Sequence, residues 1–156
     1  MRVQRDGDTL VVFVSTPTRD FLRGLAVRLE PLLAGEATPR RGLIERRRYR
    51  APELVRSELP SPGSKGHADV LEAVRRFSRD LGVPDDVRLD DQGLQQWLCA
   101  LGHLKPLVVP RFVAGLHENH RCRPNRVAIT LRTYQNLLLS AAEPDLYAMA
   151  FKAIRP

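Results

Sequence analysis

Hydrophobic and polar residues alternate over the first fifteen positions, with Val3 on one side of "RDGD" and Leu10, Val12 and Val14 set against Val11 and Phe13 on the other. A period of two gives a strand two unlike faces, and Asp6-Gly7 supplies a turn able to adopt positive φ, so the segment reads as a β-hairpin. The period then lengthens. Thr16 can cap a helix and Pro17 fits its first position. Phe21, Leu22, Leu25, Leu29, Leu32 and Leu33 recur at helical spacing, which sends Arg19, Asp20, Arg23 and Arg28 towards solvent and leaves Gly35 as the stop.

Further along, Val70, Val74, Phe77 and Leu81 form one stripe of a helix from about His67 to Leu81, with Arg75, Arg76 and Arg79 largely off it and "GVPDD" ending it. A third helix opens after Asp90 or Asp91, whose carboxylates suit the positive end of a helix. It carries Leu94, Trp97, Leu98, Leu101 and Leu104 on one face. Pro106 and Pro110 then impose a kink or a break, because a proline inside a helix removes one hydrogen bond and clashes with the preceding turn. From about Asn125, Val127, Leu131, Tyr134 and Leu138 fall in helical register, although "VAIT" inside that stretch also alternates like a strand; Pro144 opens a short final helix. Residues 36–66 have breakers at both ends and room for one short helix at most, so they read as a long Arg-rich connection of the functional or partly disordered kind. The pattern predicts a mainly α protein: a single-domain helical bundle over residues 1–156 with an N-terminal β-hairpin. Its core is expected around Phe21, Leu25, Leu29, Val74, Phe77, Trp97, Leu101, Tyr134 and Leu138.

A chain of 156 residues suits one core of moderate size. Charge changes the picture more than length does. Twenty-five Lys and Arg stand against eighteen Asp and Glu, and only Lys65, Lys105 and Lys152 are lysines. Such a surplus favours acidic partners, whether nucleic acid or an acidic protein surface. Arg40, Arg41, Arg46, Arg47, Arg48 and Arg50 offer a phosphate- or carboxylate-binding surface with Tyr49 placed to stack on a base. The same residues also suit a solvated loop that pairs with Glu45 and Glu53. The apolar run Leu10 to Val14 is too short for a signal-peptide core and no window resembles a membrane span, so a cytoplasmic protein with free thiols and no membrane partner is expected.

Candidate chemistry is sparse. Cys99 and His103 stand four apart in "WLCALGH", and His117, His120 and Cys122 crowd into "HENHRC", so a metal site of nitrogen and sulfur ligands can be drawn. On an unbroken helix, Cys99 and His117 would lie about 27 Å apart. The site therefore requires the chain to reverse at Pro106 or Pro110. Cys122, flanked by Arg121 and Arg123, is the more plausible reactive thiol. Asp85, Asp86, Asp90 and Asp91 are explained by turns and helix starts. With no Gly-rich phosphate loop, nucleophile elbow or spaced Ser/His/Asp set, neither enzyme activity nor a cofactor is expected.

The segments "RVQRDGDTLVVFV", "RDFLRGLAVRLEPLL", "QQWLCALGHLK" and "TYQNLLLSA", in that order, resemble the AosR-like family of actinobacterial regulators, a family known largely as a domain of unknown function. The resemblance covers about half of the chain and leaves the Arg-rich middle unmatched. Cys99 and Cys122 are not closely spaced, so the family's thiol switch is not carried over. What the resemblance implies is a small, mostly helical, non-enzymatic regulator acting through the transcription machinery, on RNA polymerase or a sigma factor. A regulatory or adaptor protein with a protein partner is therefore the first expectation, a nucleic-acid-binding accessory protein the second, and a metal or thiol sensor the third.

Overall fold

The alternating N-terminus forms two strands, β1 (Arg2–Asp6) and β2 (Thr9–Phe13), paired antiparallel from Arg2 opposite Phe13 to Asp6 opposite Thr9. They belong to a computed structural model that describes residues 1–36, 52–108 and 126–143. Gly7 opens the two-residue loop with φ of 61°, the positive angle that tight hairpin turns require. A third strand, β3 (Val87–Leu89), pairs antiparallel with the other edge of β2 and sets Leu89 opposite Leu10 and Val87 opposite Val12. Three residues are too few to show a period, so this strand exists only through its pairing.

Five α-helices lie among the described residues. α1 (Thr16–Leu33) has Ser15 as its N-cap in place of Thr16; the Ser15 hydroxyl donates to Thr18 Oγ1 at 2.9 Å. It continues through Pro31, which falls in the last turn, where one lost backbone bond is tolerated. α2 (Pro52–Arg56) is a short helix at the described end of the Arg-rich connection, and it buries Val55. α3 (Lys65–Asp80) begins two residues before the expected His67. α4 (Asp91–Leu104) starts where Asp90 accepts from the Gly93 N–H, and it ends before Pro106 in a 3-10 turn at Lys105–Leu107. α5 (Arg126–Ala142) absorbs "VAIT", so that stretch is helical.

These elements make the expected mainly helical single domain with its N-terminal hairpin. α3 lies between α1 and α4, α4 packs on α5, and α5 lies over β1. Their shared core joins Leu10 and Val12 to Leu22, Leu25, Leu29, Val74, Phe77, Leu89, Trp97, Leu101, Leu104, Leu131 and Leu138. Tyr134 packs against this core from its edge. Two expectations fail on α1. Phe21, assigned to the core, is 37% exposed, while Arg19, assigned to solvent, is only 8% exposed. Leu22, Ala26, Leu29 and Leu33 set the buried stripe; Arg19 completes its spacing and Phe21 falls beside it.

Candidate functional site

Arg19 is the one buried charged residue among those described. Its guanidinium reaches the segment that joins α3 to β3 and donates only to main-chain carbonyls. Nη1 bonds Val83 and lies at 3.5 Å from Asp80 and Leu81, while Nη2 reaches Asp85 at 2.9 Å and Pro84 at 3.4 Å. The C-terminus of α3 and the following turn leave these carbonyls without backbone donors, and a planar fork of five N–H groups can satisfy several at once. The arrangement holds the turn that delivers Val87–Leu89 to the edge of β2. Arg19 is thus a positioning residue for the sheet, and it belongs to no reactive constellation.

A second polar cluster sits where α3 crosses α4. The Trp97 indole donates to Asp80 Oδ2 at 2.8 Å, and its ring meets Phe77 edge to face with centroids 4.7 Å apart. Arg76 donates to Gln96 at 2.9 Å and to Asp90 at 3.3 Å, and lies 3.8 Å from Asp80. Gly93 makes the approach possible: a Cβ there would stand 2.7 Å from Arg76 Nη2 and 2.9 Å from Asp90 Oδ1. Every strong donor in this cluster already has an acceptor, which makes it a structural joint.

Within the joint, the Asp90 carboxyl is held below its ordinary 3.8, chiefly by the Gly93 N–H; desolvation opposes this, and the charge of Arg76 adds to the lowering. A depressed folded-state value means that the contribution of Asp90 is complete above 3.8 and is lost as pH falls through the lower value. Asp90→Asn keeps an N-cap but does not titrate. The difference in Tm between wild type and Asp90→Asn should therefore shrink or reverse between about pH 5 and pH 2. A difference that stays constant over that range would show that the carboxylate is not linked to folding.

The metal reading changes once geometry is available. Cys99 and His103 do meet, with Sγ and Nδ1 3.8 Å apart, but His103 Nδ1 also lies 2.9 Å from the Cys99 carbonyl and donates to it. The nearer ring nitrogen therefore carries a proton and cannot ligate a metal in that state. Burial, and then the charge of Asp69, push the Cys99 thiol above its ordinary value, which disfavours the thiolate a metal or an electrophile needs. Among the described residues no group of three or more His, Cys, Asp or Glu can hold a metal ion. His117, His120 and Cys122 lie outside the described residues, as does Pro110, so the pair at α4 is two of the five expected ligands.

Arg40, Arg41, Arg46, Arg47, Arg48, Tyr49 and Arg50 also lie outside the described residues. What the structure adds is where this segment leaves and returns. Glu36, just after α1, accepts through its carbonyl from Arg56 Nη2 of α2, so the two ends of residues 37–51 are tied together. Charge follows the same division. Residues 1–36, 52–108 and 126–143 contain fourteen Lys and Arg and fifteen Asp and Glu, while residues 37–51 hold six arginines against Glu45. The basic surplus of the chain is thus carried by residues other than the described ones, whose own charges nearly balance.

A small cleft lies beside the hairpin, lined by Arg5, Asp8, Leu10, Leu89, Asp90, Asp91, Leu94 and Ala142, with a volume of about 30 Å³. That is room for a few waters at most, too little for an organic ligand. No helix among the described residues is long and apolar enough to cross a membrane. Comparisons with protein-family models, with curated proteins and with solved structures find no match for this chain.

Proposed function

We propose that this chain is a non-enzymatic regulatory or adaptor protein that binds a protein partner, with the Arg-rich segment 37–51 engaging an acidic surface of that partner. The observation that supports the reading most is the division of charge: described residues whose charges nearly balance and one short, strongly basic segment whose ends are tied at Glu36 and Arg56. A protein that tracks a duplex gains affinity from basic groups spread over a face several phosphates long. Here the described body adds little to such a face. A local basic segment suits a local acidic patch, where charge speeds and orients the encounter. The AosR-like resemblance implies RNA polymerase or a sigma factor as the partner class.

Tagged protein in a native lysate should capture one stoichiometric protein partner. Arg46→Gln/Arg47→Gln/Arg48→Gln should release it at lower salt while leaving the thermal transition unchanged. Recovery of no stoichiometric partner rejects the reading. The concentration of six arginines with Tyr49 favours nucleic acid as the second reading. That reading requires binding to a nonspecific duplex at low salt, with the salt slope smaller in the triple variant by about 0.9 for each phosphate that the arginines no longer neutralise.

A further inference from the structure

We draw no further inference here: the strongest candidate, the part-buried side-chain pair of Cys99 and His103 on α4, rests on a single cysteine with no third metal-ligating group beside it among the described residues.

Discussion

Arg19→Met should lower the unfolding free energy by about 3 kcal/mol, a large loss for one exposed-looking arginine near the start of a helix. Methionine keeps most of the volume of the stem, so the loss isolates the guanidinium. Removing it leaves the carbonyls of Val83 and Asp85, and the more distant ones of Asp80, Leu81 and Pro84, without their shared donor. Each buried acceptor left unpaired costs roughly 1–3 kcal/mol. The total stays well below the sum because Val83, Pro84 and Asp85 are at the surface, where water can take over part of the bonding. Arg19→Lys restores the charge but not the fork, and should recover less than half. Urea unfolding followed by circular dichroism measures both. A methionine variant within about 0.5 kcal/mol of wild type would mean that the turn holds itself.

The turn has a consequence beyond stability. Because it delivers β3 to β2, hydrogen exchange at Val87 and Leu89 should rise in Arg19→Met before the helices of the core loosen.

Trp97→Ala should cost about 4 kcal/mol, more than the loss of the Arg19 guanidinium. The indole is wholly buried, touches Phe77 edge to face and donates to Asp80. Truncation removes the transfer energy of a large ring and leaves a cavity at the crossing of α3 and α4 that fixed backbones can close only in part. Trp97→Phe separates the contributions: it keeps most of the apolar packing but loses the donor to Asp80, and should cost about 2 kcal/mol. With total stabilities of domains near 5–15 kcal/mol, the alanine variant should be partly unfolded at 37 °C. Chemical denaturation followed at 222 nm decides, since Trp97 is the only tryptophan and its own fluorescence disappears with it. An alanine variant that loses under about 2 kcal/mol would show that the core is centred elsewhere.

Much of the fold is legible in the chain. The hairpin, the helices at α1, α3, α4 and α5, and the central place of Trp97 follow from period, caps and breakers, because side-chain spacing along a helix or strand is dictated by local geometry. Asp90 as a helix start is legible for the same reason: a carboxylate three residues before a free N–H is a local relation. The candidate site is far less legible. The pair Cys99 and His103 is found by its spacing, but the proton on Nδ1 is set by a carbonyl bond that spacing does not reveal.

The chain by itself determined which residues share a face, and with that the mainly helical class and the hairpin. Which face acquires a neighbour was decided only in three dimensions. Phe21 and Leu22 are adjacent and equally apolar, yet one is exposed and the other buried, because α3 and α4 cover one side of α1 and no described element covers the opposite side. Arg19 was lost to the core for the same reason, its acceptors lying 61 to 66 residues further along the chain. β3, three residues long, has no local signal and owes its existence to β2. Periodicity is a property of neighbours in sequence, whereas burial, bonding to distant carbonyls and strand pairing are properties of what the folded chain brings alongside.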